Sequence, residues 1–294
     1  MTKSLLSVTN LNISFPSAKG EVPAAQGVSF SIGREKVGIV GESGSGKSVT
    51  GRAILRLLPT YASVTCDEIQ FKNHNLLTLS EKEMRKIRGQ EISMVMQDPK
   101  YSLNPVRTVG HQIMEAYTIH RKVSKREARE QTLDMLANVQ IRNPKQVFNL
   151  YPHEVSGGMG QRIMIAMMLI PEPSLLIADE PTSALDVTVQ LQVLAILDDL
   201  VSKRGMGLIF ISHDLELVAS FCDRVIIMYG GRIMEILQAK DLHNSTHPYT
   251  RGLLGCLPKI NGEDLILPTL DREKLQRENT DDLPILNGGS HATG

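Results

Sequence analysis

The chain lacks an excess of charge, a long apolar stretch, a cluster of cysteines and any pattern of a leader peptide. Lysine plus arginine number 32, and aspartate plus glutamate also number 32, so the formal net charge is zero. No overall field draws such a chain to a phosphate backbone, and sequence-independent DNA or RNA binding is disfavoured. No apolar run approaches the roughly 18 residues that a membrane helix needs. The most suggestive one, Ile163 to Ile170, lies between Arg162 and Pro171. Cys66, Cys222 and Cys256 are far apart, with no close second Cys or His, which fits neither a disulfide framework nor a zinc site. They are expected to be core thiols. Met1 to Asn10 carries one lysine and no sustained apolar stretch, so no secretory signal is read and a cytoplasmic location is expected. No internal repeat is visible.

What is present is a chain of 294 residues, 41% of them hydrophobic. That is enough for one large domain or two modest ones with a sizeable core. Leu11, Ile13 and Phe15 alternate with polar residues, as do Val28, Phe30 and Ile32, which predicts half-buried antiparallel strands at the start. The apolar run Val37 to Val40 leads into glycines and then into a helical pattern through Ile54, Leu55 and Leu58. From about residue 80 to 155 charged and apolar residues interleave at helical spacing, predicting a helical insert. Leu175 to Ala178, Leu208 to Ile211 and Val225 to Met228 are too continuous for a one-sided sheet and predict buried parallel strands. Between them Val187, Leu191, Leu194, Leu197 and Val201 form one apolar helical stripe. Strands alternating with helices imply a parallel sheet covered on both faces, with ligands at the carboxyl ends of its strands. From about Asn261 the chain turns polar and Gly-rich, with no strong fold of its own expected.

The segment Gly41-Glu42-Ser43-Gly44-Ser45-Gly46-Lys47-Ser48-Val49 contains the phosphate-loop pattern. Its glycines let the backbone curl so that consecutive N–H groups point at phosphate oxygens. Lys47 supplies a cation for the β and γ phosphates, Ser48 a hydroxyl for Mg²⁺, and the following helix its positive end. Leu175-Leu-Ile-Ala-Asp179-Glu180 is a buried strand ending in two carboxylates at the ligand edge of the sheet. Asp179 is placed to hold Mg²⁺ through its water shell and Glu180 to orient the attacking water. Alone, the pair would also read as helix-start acids before Pro181; the phosphate loop upstream decides for the catalytic reading.

Further pieces make this NTPase specific. Ser156-Gly157-Gly158-Met159-Gly160-Gln161-Arg162 resembles the signature motif of ABC ATPases. Gln97 after Ile92 to Met96 resembles the Q-loop glutamine, Ser183-Ala184-Leu185-Asp186 the D-loop, and His213 after Phe210-Ile-Ser the switch histidine. The resemblance covers roughly residues 5 to 255. It implies an α/β fold of P-loop NTPase (RecA-like) type: a parallel sheet core, an N-terminal antiparallel β subdomain and a helical subdomain at about 88–165. The expected limits are 1–258 for the ATPase domain and 259–294 for a polar extension.

The start of the signature helix, at Ser156, Gly157, Gly158 and Met159, is a second anion site. In the family each ATP lies between the phosphate loop of one subunit and the signature of its partner, so ATP holds a dimer together and hydrolysis loosens it. The resemblance further implies that Gln97 shares in Mg²⁺ binding and catalysis, that His213 contacts the γ phosphate, and that Asp186 reaches across the dimer. Phe15 is either a plain strand residue or the residue stacking on adenine.

Gln97-Asp-Pro with Ser102-Leu-Asn-Pro105, Tyr151-Pro-His-Glu154 and His247-Pro-Tyr-Thr-Arg-Gly-Leu-Leu254 resemble the oligopeptide, dipeptide and nickel importer branch. Met159 and the Met164-Ile-Ala-Met run are similar to the first of its two paired ATPases. Val155 stands for the usual leucine and Gly160 for a larger residue. Many relatives carry a C-terminal four-cysteine motif for an iron-sulfur cluster, whereas residues 257 to 294 contain no cysteine, so no cluster is expected. The resemblance implies an ATPase peripheral to the cytoplasmic face of a bacterial membrane. Its implied partners are a paralogous ATPase subunit, two permease subunits contacted near Tyr101 to Pro105, and indirectly a periplasmic or lipid-anchored binding protein. The implied cargo is peptides, with nickel or metal chelates as the alternative. The rival class, a soluble ABC ATPase acting on DNA or ribosomes, would need a long coiled-coil insertion or a second cassette, and neither is present.

Overall fold

The computed structural model describes residues 4–98, 102–183 and 185–255. Among these are two sheets. In the first, β1 (Leu6–Ser17) and β2 (Gly20–Ile32) form an antiparallel pair, and β4 (Ser63–Thr65), β5 (Glu68–Phe71) and β6 (His74–Asn75) extend it on the other side of β1. The alternation read from the sequence is realised: Leu11, Ile13, Val28, Phe30 and Ile32 are buried, while Phe15 near the open end is half-buried.

The second sheet runs in the order β11 (Arg232–Gln238), β10 (Arg224–Tyr229), β3 (Lys36–Val40), β9 (Gly207–Ser212), β8 (Leu175–Asp179) and β7 (Ile92–Val95). All pairs are parallel except β10 with β11. Because β3, β7, β8 and β9 run the same way, their carboxyl ends open on one edge, where an α/β sheet binds its ligands.

Strand β7 lies within the 88–165 range expected of the helical insert, yet it pairs with β8 along Ile92 to Val95. A four-residue strand beside helical segments is too short to register in an apolar periodicity of 3.6. The helices that follow are α3 (Val109–Thr118), α4 (Lys125–Asn138), the single turn α5 (Pro144–Val147) and α6 (Gly157–Leu169), after α1 (Lys47–Ile54) and α2 (Glu81–Ile87). Helix α6 buries Gly160, Gln161, Ile163 to Ala166 and Leu169.

Helix α7 (Val187–Arg204) departs from the expected stripe: Leu194, Leu197 and Val201 are buried, but Val187 and Leu191 are 72% and 60% exposed. Eighteen helical residues span about 27 Å and a five-residue strand only about 17 Å, so the first turns of α7 overhang the sheet. No helix among the described residues is long and apolar enough to cross a membrane.

The chain divides into two compact units, the first ending at Leu242 and the second beginning at His243. The second unit holds the helix α9 (Pro248–Gly255). Of the cysteines, Cys222 is a core thiol, with burial pushing its pKa up to about 12, but Cys66 is only half-buried. Cys256 lies outside the described residues.

Helix α8 (Leu215–Phe221) packs so closely on β3 that a Cβ at Gly38 would lie 2.1 Å from Val218 Cγ1. Gly38→Ala should therefore destabilise the fold by about 1–3 kcal/mol. A thermal scan would show this as a midpoint lowered by roughly 2–4 °C per kcal/mol; an unchanged midpoint would contradict the close packing.

Candidate functional site

The turn from β3 into α1 is forced to be glycine by its neighbours. A Cβ at Gly41 would sit 2.0 Å from the Met228 carbonyl oxygen, and one at Gly46 2.3 Å from the Ala24 carbonyl oxygen. Gly44 and Gly46 also take left-handed φ of +81° and +96°, which side chains avoid. Glu42 is half-buried, Ser43 and Gly44 are exposed, and Ser45 is buried, so the loop presents its backbone at the open edge of the sheet. Thr50 Oγ donates to the Gly46 carbonyl (2.8 Å), and half-buried Val49 packs on the core.

Lys47 is 5% exposed, and its Nζ donates to the carbonyls of Gly41 and Glu42 (2.8 Å each) and to Ser45 Oγ at 3.3 Å. Burial lowers its pKa, while the nearby Glu180, Asp179 and Glu42 carboxylates work in the opposite direction. Ser48 Oγ donates to Asp179 Oδ1 at 2.6 Å, across from the end of β8. The Asp179 side chain is 3% exposed, and its second oxygen lies 3.5 Å from Arg52.

Glu180 follows with φ +47°, an unusual backbone for a residue with a Cβ. Its N–H donates to the Ile211 carbonyl of β9 at 2.9 Å. Its side chain stands between two partners, His213 Nδ1 at 3.3 Å from Oε1 and Gln97 Nε2 donating to Oε2 at 3.1 Å. A cleft of about 100 Å³ beside it is lined by Glu180, Ser183, Gln190, Ser212 and His213. At about 30 Å³ per liquid water, it admits a few waters. Gly41, Gln97, Asp179 with Glu180, and His213 thus leave the carboxyl ends of β3, β7, β8 and β9.

The signature occupies another element. Ser156 is the N-cap of α6, exposed, with its Oγ accepting from Met159 N–H at 3.3 Å. Gly157 is exposed, and Gly158 is pressed on α7, where a Cβ would meet Val189 Cγ1 at 2.8 Å. Asp186 caps α7 by accepting from Val189 N–H at 3.0 Å. Phe15 meets the exposed Tyr61 edge-on, with ring centroids 6.2 Å apart.

Residues 25–183 match the family model described as ABC transporter. The chain is 51% identical over 268 residues to the dipeptide transport ATP-binding protein DppD of Bacillus subtilis, covering 90% of this chain and 80% of that one. It is 44% identical over 269 residues to the oligopeptide transport ATP-binding protein OppD of Escherichia coli, covering 91% and 80%. The chain belongs to the ABC transporter family. Among solved structures it resembles the ATP-binding cassette MJ0796 in a dimeric post-hydrolysis state bound to ADP and Pi, with TM-score 0.72, 26% identity and coverage of 80% of this chain and 99% of that one.

As an ABC ATPase the chain binds ATP. Three residues that touch the candidate residues or their neighbours were missed in the sequence. Arg52 stands one helical turn after Ser48, a spacing that could have flagged it as a second partner of Asp179. Tyr61 follows α1 with no pattern to mark it. The Gln161 side chain donates to the Pro181 carbonyl, and only its polar character within an apolar helix hinted at that.

Lys47→Ala removes the one side-chain cation gripped by the loop. It should weaken ATP binding by about tenfold or more, the worth of a charge-assisted hydrogen bond, as read by titration with fluorescent ATP. Parental affinity would contradict a phosphate role.

Proposed function

We propose that this chain is the ATP-hydrolysing subunit of a membrane importer for peptides. It works as one half of a nucleotide-bridged pair with a paralogous ATPase, beneath two permease subunits, at the cytoplasmic face of a bacterial cell membrane. The observation that carries the reading is the placement of Glu180 between His213 and Gln97, one residue from buried Asp179, which accepts from Ser48. The peptide cargo is supported by the relatives, which are dipeptide and oligopeptide transport ATP-binding proteins. The peripheral location is supported by the absence, among the described residues, of a helix able to span a membrane.

The donor set suits Mg²⁺. Ser48 and Asp179 offer hard oxygen ligands, and no group of three His, Cys, Asp or Glu among the described residues makes an all-protein cage. Magnesium typically takes one or two such ligands and completes its shell with water and phosphates. When bound, it neutralises charge on the β and γ phosphates. Gln97 is within reach of the same region through its amide.

The loop backbone and Lys47 hold the triphosphate, and Glu180 orients a water in the adjoining cleft for in-line attack on the γ phosphorus. A new P–O bond forms as the bond to the ADP oxygen breaks, and the proton of the water passes to Glu180. His213 stands against the same carboxylate and fixes its direction. The exposed start of α6, with Ser156, Gly157, Gly158 and Met159, supplies the surface for the partner's nucleotide, and Asp186 lies at the adjacent helix start. Phe15 is the candidate for stacking on adenine. The segment Tyr101 to Pro105 is the candidate for permease contact, of which Tyr101 lies outside the described residues.

Glu180→Gln should bind ATP with parental affinity and lose roughly 10²–10⁴-fold in turnover, the usual contribution of a positioned base. Steady-state phosphate release together with ATP titration checks this, and hydrolysis at the parental rate would remove the assignment. Loss of peptide uptake on deleting the chain, with co-purification of permeases, tests the transport role.

A further inference from the structure

Helix α6 carries one buried amide that the mechanism above does not use. Gln161 is 1% exposed on a helix whose other buried side chains are apolar. A buried amide is unfavourable unless hydrogen-bonded, and here its Nε2 donates to the carbonyl of Pro181, which is itself buried. Pro181 directly follows Glu180, whose backbone is left-handed at φ +47°.

The turn at Glu180 is held from three sides. Its N–H bonds β9 at Ile211, and its carbonyl accepts from Ser183 N–H (3.4 Å) and Ser183 Oγ (3.2 Å). The third hold is Gln161 on Pro181, a residue with no N–H of its own through which the turn could be secured. Only this third hold comes from the helix that has Ser156 as its N-cap, five residues before Gln161. A helix moves as a rigid rod over so short a distance, so a displacement of the Ser156 end reaches the Pro181 carbonyl.

We propose that Gln161 is a positioning residue: its amide ties the signature helix to the turn that bears Glu180, so that occupancy of the helix start sets the aim of the carboxylate. The inference rests on the reading of Glu180 as the residue that orients water. Removing the tie leaves both nucleotide surfaces in place but lets the Glu180 turn relax.

The test uses the full-length chain. Gln161→Met keeps length and removes the donor; its kcat for ATP hydrolysis should fall about tenfold with ATP affinity close to parental, and the unpaired Pro181 carbonyl should lower the thermal midpoint by a few degrees. In a Glu180→Gln background the same substitution should change residual turnover less than twofold. Gln161→Glu gives a carboxyl that, when protonated, again donates to the Pro181 carbonyl, and burial favours that neutral form. Its rate relative to parental should rise as pH is lowered from 8 to 6, while the Gln161→Met ratio stays flat. The proposal is overturned by a parental kcat in Gln161→Met, by a loss confined to ATP affinity, by an equal loss in the Glu180→Gln background, or by parallel pH ratios for the two variants. Should Gln161→Met not fold, the Gln161→Glu pH ratio decides alone. Failure of Glu180 as base appears separately, as a parental rate in Glu180→Gln itself.

Discussion

The site depends on a backbone wedged where no side chain fits. Between β3 and α1 the loop passes so near the Met228 and Ala24 carbonyls that a Cβ at Gly41 or Gly46 would overlap them. That crowding holds the loop against both the antiparallel sheet, through β2, and the parallel sheet, through β10. A phosphate-binding surface built of backbone amides is only as good as the fixity of that backbone. Here fixity comes from two sheets at once, and the lysine clasped by the loop's own carbonyls adds a third restraint.

From that anchor the rest of the chemistry is a matter of alignment. Helix α1 starts at Lys47 and brings Ser48 to the end of β8, where it meets Asp179. One residue on, the chain turns through an unfavourable backbone angle at Glu180, and such local strain persists only where surrounding contacts over-determine it. The contacts from Ile211, Ser183 and Gln161 are of that kind.

Much of this was legible in the sequence because short-range rules governed it. Continuous apolar runs identified β8, β9 and β10 as buried strands, and the glycine spacing located the tight turn between β3 and α1. What escaped notice depended on distance. Strand β7 was hidden inside a helical range because four residues cannot announce a period of two beside longer helices. Val187 and Leu191 belong to an apolar stripe by spacing but lie beyond the sheet, and helix length against strand length decides that. Gln97, Glu180 and His213 come from three different strands, so their convergence is a property of the sheet order rather than of any local pattern. The partnership of Gln161 with Pro181 spans 20 residues and has no periodic signature at all.

The separation of these roles onto four adjacent strands has a further consequence for how such a cassette can change. Neighbouring strands lie about 4.8 Å apart, so the working edge from β3 to β7 is about 14 Å wide, with the loop, His213, the Asp179–Glu180 pair and Gln97 each leaving a successive strand. On the proposed reading, the loop after β3 grips the nucleotide, while Glu180 and His213 at the ends of β8 and β9 act on the water. A change at His213 would then alter the pace of the motor without dismantling its hold on fuel.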